Sequence, residues 1–534
     1  MNRRRGLNHA EAMATSLSDC GVGWVFGLPG GEISAFIEAC RRADMRVVLT
    51  GHENSAALIA QVMGQITGTP AVCFATLGPG ATNLATGMAN AFLDRAPLLA
   101  VTAQIPHSSY ASLTHQRIAV EKMFAPITKR STVIGDRDSC ELVRECISLA
   151  IEPRPGPVML VLPSDVANQR CPCSDGKIEP SKKRSQVQHE DSLLRLRDRI
   201  AHSERPLFLI GLGTPMVAAS AVRTLVETLQ APFLVTPKVK GILPEDHPLF
   251  LGVASGMAMD RDILETIRMA DLIVGVGFDP VEADKTWFTE TECVAIDSVS
   301  MAEGDYHPLE AIGNMVSLAG DLAGFIEKPC PWPDGLLEER RQVLHRVPRT
   351  SGGRVSPLGL IQGLRSTFPR NGIVTCDVGS HKLLMGQFWR SYEPGTFFMS
   401  NGLSGMGFGI PAAIAAQLVY PERAVMSVVG DGGMLMMAHD LVLIRELQLP
   451  IIIVVLADNS LSLIRISQER RGYPPCAVDF CGPRFDTLAD AFGIRGEKAT
   501  TIAEAQLAVE RALEHQTSLL LEVPVDLQEY YELV

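Results

Sequence analysis

A chain of 534 residues is longer than one ordinary hydrophobic core organises, so it divides into two to four domains. Its 46% apolar and 20% charged residues suffice to bury sizeable cores, and its longest apolar run, Ile451 to Ala457, is far too short for a membrane helix. The formal net charge of −12 excludes nucleic acid as the expected partner, because phosphate binding needs clustered cations.

The one basic cluster, Arg3-Arg4-Arg5, reads as a solvated tail, and no apolar run follows it as in a secretory signal. The 12 cysteines are scattered and read as reduced thiols of a cytoplasmic protein. Cys171-Pro172-Cys173 lacks a second pair or a nearby His at zinc spacing, so it too reads as reduced rather than metal-bound.

In chain order, Trp24 to Gly27, Arg46 to Leu49, Ala71 to Phe74 and Leu98 to Val101 are short apolar runs with helical patterns between them. They predict buried parallel strands. A polar stretch, Asn168 to Asp191, then reads as a linker. The alternation resumes with Leu207 to Ile210, Phe233 to Val235 and Leu272 to Val276. A second linker is expected from Lys328 to Pro357, with Pro331-Trp332-Pro333, a charged helical run and Ser351-Gly352-Gly353. Beyond it come Gly372 to Thr375, Ala424 to Val429 and Ile451 to Leu456, with a helix predicted over Met434 to Leu449. The expected fold is α/β: three consecutive doubly wound parallel-sheet domains over 1–168, 190–328 and 355–534.

Glycine-rich turns after strands are where such folds hold phosphates. Gly211-Leu212-Gly213-Thr214-Pro215 lacks the third glycine of a dinucleotide fingerprint, and Thr236-Pro237-Lys238 stands where the ribose-binding acid belongs. This turn is therefore expected to hold no ligand. The strand ending in Gly430-Asp431-Gly432-Gly433 differs. Its glycines allow close backbone approach, and Asp431 can face a cation. Asp458, 27 residues on, ends the next strand in Ala457-Asp458-Asn459-Ser460. Two carboxylates at one sheet edge suit a magnesium ion whose shell is completed by phosphate and water.

These motifs resemble the thiamine-diphosphate enzymes of the acetolactate synthase and pyruvate decarboxylase superfamily, and the resemblance covers nearly the whole chain. It implies a pyrimidine-binding, a central and a diphosphate-binding domain, in that order. It also implies a magnesium ion held by Asp431, Asp458 and the main-chain carbonyl of Ser460, beside Leu461 and Ser462. Val25 to Gly31, with Gly30 and Gly31, looks like the opening of the pyrimidine domain, and Glu53 matches the catalytic glutamate that shares a proton with the aminopyrimidine. Ala75 to Asn83, with Gly78 and Asn83, matches the turn beside the cofactor. Gly379, Ser380 and His381, and Ser404 and Met406 in Asn401 to Gly409, match stretches of the diphosphate domain, with Met406 the wedge beneath the cofactor. His115 and Gln116 are the candidates near the reacting carbon.

The middle segment Gly277-Phe278-Asp279-Pro280-Val281-Glu282, then Asp284 to Trp287, lacks the arginines with which flavin-binding members grip a flavin diphosphate. It is more similar to the flavin-free catabolic acetolactate synthases, so FAD is not expected. Arg465 suits either a substrate carboxylate or solvent. The leading expectation is decarboxylation of a 2-oxo acid, pyruvate first, with ligation to a carbonyl acceptor, in a homodimer or homotetramer whose sites lie between subunits. A non-ligating decarboxylase or carbon–carbon lyase on a larger substrate is the alternative, and a catalytically silent binding protein of the same fold is a third.

Overall fold

The computed structural model describes residues 6–112, 115–173, 189–254, 256–283, 291–345 and 354–533. Arg3 to Arg5, Asp284 to Trp287 and Ser351 to Gly353 lie outside the described residues. Three six-stranded parallel sheets form the framework. The first holds β1 (Trp24–Leu28), β2 (Arg46–Leu49), β3 (Ala71–Ala75), β4 (Leu98–Gln104), β5 (Arg130–Val133) and β6 (Pro157–Pro163), in spatial order β2-β1-β3-β4-β6-β5. The second holds β7 (Pro206–Ile210), β8 (Phe233–Val235), β9 (Phe250–Val253), β10 (Leu272–Val276), β11 (Glu292–Asp297) and β12 (Leu309–Ile312), in order β12-β11-β10-β7-β8-β9. The third holds β13 (Ile373–Cys376), β14 (Phe397–Met399), β15 (Val425–Gly430), β16 (Ile451–Ala457), β17 (Arg495–Lys498) and β18 (Leu519–Pro524), in order β14-β13-β15-β16-β18-β17.

The central strands β4, β6 and β16 are buried at every residue. Parallel strands covered by helices on both faces need continuous apolar runs, which explains why their sequences do not alternate.

The chain forms two compact units. The first comprises residues 1–183, 402–422 and 437–449; the second comprises 184–401, 423–436 and 450–534. In the first, the helix Glu53–Thr67 packs on the helix Gly409–Val419, and it stops at Gly68, whose φ of 70° is a left-handed cap open to glycine. In the second, Gln387 Oε1 accepts from the Val253 amide at 3.1 Å and Glu245 accepts from the Ser391 amide at 3.0 Å, joining the second and third sheets.

Two expectations need correction. The helix predicted over Met434 to Leu449 is two helices, Asp431–Met436 and Asp440–Glu446. The first starts early because the Asp431 carboxylate accepts from the Gly432 amide at 2.8 Å. The break at 437–439 is where His439 and Asp440 seat their side chains on Ser55. The stretch read as the second linker is largely folded. Its charged run is the helix Asp334–Leu344, and Trp332 is 1% exposed, donating from Nε1 to the Pro206 carbonyl at 2.7 Å. Burying so large a ring contributes about 2–3 kcal/mol, enough to dock the segment.

Candidate active site

The site residues expected from the sequence fall into two groups, one in each unit. In the first unit β2 ends at Leu49, and His52 caps the helix Glu53–Thr67, its Nδ1 accepting from the Asn54 amide at 3.0 Å. Glu53 thereby occupies the first helical turn and is 3% exposed. Its Oε2 accepts from Asn83 Nδ2 at 3.0 Å, and a Cβ on Gly80 would stand 3.2 Å from its Oε1. Asn83 ends the short helix Pro79–Asn83, which follows Gly78 at φ 61°. Gln116 also has a positive φ, 59°, and its side chain lies against Gly78, where a Cβ would come within 3.0 Å. His115 is exposed. Gly30 faces the Thr76 side chain, which donates to Glu32, and Gly31 opens the short helix Gly31–Ile33.

Ser404 and Met406 belong to this first unit too. Ser404 is exposed with φ 55°, Met406 is half-buried, and the following Gly407 (φ 90°) faces the Met437 sulfur. Their loop is held at its start by the buried Asp94, which accepts from the Gly402 amide at 2.9 Å and from Asn90 and Gln61 at 3.2 Å each.

A neighbouring network carried no signal in the sequence. Ser55 Oγ lies 3.0 Å from His439 Nε2 and donates to Asp440 Oδ2 at 3.0 Å. The His439 ring packs over Gly51, where a Cβ would come within 2.7 Å, so residue 51 can carry no side chain. Burial pushes the Asp440 carboxyl up to about 7, with the Ser55 hydrogen bond opposing. This cluster braces the Glu53 turn from below. Nothing in the pattern of isolated residues pairs positions 384 apart.

In the second unit β15 pairs with β16 in register Gly430↔Leu456, so the residues after both strands emerge at one edge. Asp431 is 3% exposed. Its Oδ2 accepts from the Asp458 amide at 3.1 Å and the Asn459 amide at 2.6 Å. Asp458 Oδ1 accepts from the Ser460 amide at 3.0 Å, and its Oδ2 accepts from the Ser462 hydroxyl. Burial pushes Asp431 up to about 6, helped by the Asp458 charge, and burial also raises Asp458. Two carboxylates that disfavour their own charges are the groups available to hold a cation. Leu461 donates its amide to the Val478 carbonyl at 2.7 Å, which fixes the loop that carries the Ser460 carbonyl.

The adjoining elements suit an anion. Gly379 precedes the helix Ser380–Phe388, and the His381 ring stacks over Gly379 and Gly430, leaving no room for a Cβ at Gly379. A Cβ on Gly433 would overlap Asp377 Oδ2, so that position requires glycine. Ser380 Oγ and His381 Nε2 are buried without a hydrogen-bond partner among the described residues. Burial lowers His381 to about 4, which keeps the ring neutral, and the ring also bonds the Asp377 backbone. The orphaned Ser380 hydroxyl beside glycine turns fits the phosphate tail of a diphosphate. Arg465, by contrast, is committed. It donates twice to Asp479, at 2.7 and 2.6 Å, and lies 3.3 Å from Glu469.

The glycine turn of the second sheet is closed on itself. Gly213 donates to the Gly277 carbonyl at 2.7 Å, Thr214 Oγ1 donates to the Val276 carbonyl at 2.7 Å, and the Leu212 amide donates to Glu282 Oε2 at 2.8 Å. Burial pushes Glu282 up to about 8 and Asp297 to about 7, with Asp279 adding to both.

This three-sheet architecture is that of a thiamine pyrophosphate enzyme. Residues 7–123 match the thiamine pyrophosphate enzyme N-terminal TPP binding domain, 193–327 the central domain and 377–523 the C-terminal TPP binding domain. The chain belongs to the thiamine pyrophosphate enzymes, and within them to the acetolactate synthase type. It is 30% identical to an acetolactate synthase of Bacillus subtilis (strain 168), over 97% of this chain and 93% of the relative. It is 29% identical to the acetolactate synthase isozyme 2 large subunit of Escherichia coli (strain K12), over 97% and 96%. It is 27% identical to a catabolic acetolactate synthase of Raoultella terrigena, over 98% and 96%.

Proposed function

We propose that the protein decarboxylates pyruvate and ligates the remaining two-carbon unit to a second carbonyl compound, with acetolactate as the product when that compound is pyruvate. The observation that carries this reading is the pair of a buried Asp431 and a half-buried Asp458 at neighbouring strand tips, beside the unpartnered Ser380 and His381. Thiamine diphosphate supplies an acidic thiazolium carbon and an electron sink for the decarboxylation. Asp431, Asp458 and the Ser460 carbonyl hold magnesium, and Gly379, Ser380, His381, Gly430, Gly432, Gly433, Leu461 and Ser462 surround the diphosphate. Glu53, held by Asn83, exchanges a proton with the aminopyrimidine nitrogen. Gln116, against Gly78, faces the substrate end, with His115 beside it. Gly30, Gly31, Ser404 and Met406 would complete the pyrimidine side, with Met406 the residue that would support the cofactor there.

The working site takes Glu53 from one copy of the chain and the aspartates from another, in a dimer or tetramer. Leu49, 58% exposed, precedes the glutamate turn, and Met436, 53% exposed, follows the first aspartate, as expected of surfaces that a second copy covers. The domain limits are 1–168 for the pyrimidine part, 190–328 for the central part and 355–534 for the diphosphate part. No described helix is long and apolar enough to cross a membrane. FAD has no place in this reading, because the central turn meets Glu282 and has Asp279 and Asp297 around it, where a flavin diphosphate needs cations.

Incubation with pyruvate, magnesium and thiamine diphosphate tests the function. Acetolactate, seen as acetoin after acid treatment, is expected; acetaldehyde alone would turn the reading to simple decarboxylation. Glu53→Gln is expected to lower kcat by about 10²–10⁴ with the cofactor still bound. Parent-like turnover by that variant would remove Glu53 from the chemistry.

A further inference from the structure

Away from these residues, the first unit gathers three thiols and a carboxylate that lie far apart in sequence. Asp138 caps the helix Ser139–Ile151, accepting from the Cys140 amide at 2.8 Å. The segment ending in Cys171-Pro172-Cys173 is tied to the N-terminal region by the His9 amide on the Gln169 carbonyl (3.0 Å) and the Cys171 amide on the Leu7 carbonyl (2.9 Å). This tether carries both cysteines to the start of that helix. Cys140 Sγ and Cys173 Sγ stand 3.7 Å apart, and Cys171 Sγ stands 4.0 Å from Asp138 Oδ1. The ligand atoms of Asp138, Cys140 and Cys173 all lie within 4.8 Å of one another.

Zinc–sulfur bonds of about 2.3 Å in a tetrahedron put two sulfurs about 3.8 Å apart, and a sulfur and a carboxylate oxygen about 3.5 Å apart. The Cys140–Cys173 separation matches the sulfur–sulfur edge of that solid, and with the Asp138 oxygen the two sulfurs outline one face of it. We infer that Asp138, Cys140 and Cys173 form a site for a thiophilic divalent cation of the zinc type, with Cys171 packed beside it. The Ser139 amide donates to Cys171 Sγ at 3.3 Å and holds that thiol beside the start of the helix. His9 Nδ1 lies 2.8 Å from Ser139 Oγ and steadies the same turn. As packing alone, the cluster would be a small satellite core, with Ala12 and Leu7 as its other members.

Cobalt(II) is the probe, added to reduced full-length protein with excess magnesium to occupy oxygen-ligand sites. One equivalent should give a thiolate-to-cobalt charge-transfer band and tetrahedral d–d bands, and zinc should displace both. Cys173→Ser should weaken cobalt binding by about 100-fold, whereas Cys476→Ser, at an exposed cysteine, should leave the spectrum unchanged. Zinc should raise the melting temperature of the parent and not that of Cys173→Ser. Absence of the charge-transfer band in the parent, or a band that persists in folded Cys173→Ser, overturns the assignment. So does peptide mapping that finds a Cys140–Cys173 disulfide in the protein as isolated, before any reductant is added. Should Cys173→Ser fail to fold, the cobalt spectrum of the parent decides by itself.

Discussion

At the edge of the third sheet, β15 and β16 end in Asp431 and Asp458, whose carboxylates are raised by burial and stand beside two unpartnered polar atoms, Ser380 Oγ and His381 Nε2. At the edge of the second sheet, β7 and β10 also end in glycine turns among carboxylates, Glu282, Asp279 and Asp297. There the Leu212 amide already has Glu282, and Gly213 already has the Gly277 carbonyl. The two edges share topology and residue types. They differ in what is left over: at the second edge the unpartnered buried atoms include the acceptors Glu282 Oε1 and Asp297 Oδ2, whereas at the third the Ser380 hydroxyl can donate, and a sheet edge becomes a phosphate site only when donors are left over.

The sharpest way to break this contrast is to delete one carboxylate at each edge. Asp431→Ala is expected to weaken magnesium-dependent thiamine diphosphate binding by at least about 100-fold in calorimetric titration. Asp279→Ala should leave that affinity unchanged, and equal losses would mean that the third edge is not special.

The next effect concerns pH. Glu282 is driven to about 8 by burial, so its protonated form is the one favoured by folding. Its contribution is complete below the unfolded value near 4.5 and is lost as pH rises through about 8. Glu282→Gln, which stays neutral, should reduce the fall in unfolding free energy, measured by urea titration, between pH 5 and pH 8.5 (probe values, roughly spanning that window), by an amount on the order of a few kcal/mol. A parent and variant with parallel pH profiles would show that this carboxyl is charged at neutrality.

A smaller effect is expected at Gly277, whose φ is 59° and where a Cβ would lie 2.4 Å or slightly more from Thr214 atoms. Gly277→Ala should lower stability by about 1–3 kcal/mol through strain and overlap, read as a shift in melting temperature, with cofactor affinity kept. The smallest concerns Arg465, whose bonds go to Asp479. Arg465→Met should change the pyruvate KM by no more than about twofold, since exposed ion pairs contribute little. A large rise in KM would instead assign the guanidinium to a substrate carboxylate.

The sequence by itself determined the parallel α/β framework and the two aspartate-bearing strand tips, because buried parallel strands demand continuous apolar runs and glycine-flanked acids at their ends are local features. It missed edge strands such as β17, Arg495–Lys498, where exposure removes the apolar signal. It also read one helix where the chain breaks at 437–439, beside the contacts of His439 and Asp440 with Ser55. Only the tertiary structure decided which polar groups are already paired. It joined Glu282 to Leu212, Arg465 to Asp479, and Cys173 to Cys140 across 33 residues. Hydrogen bonds and sulfur contacts act over a few ångströms in space, and separation along the chain carries no record of them.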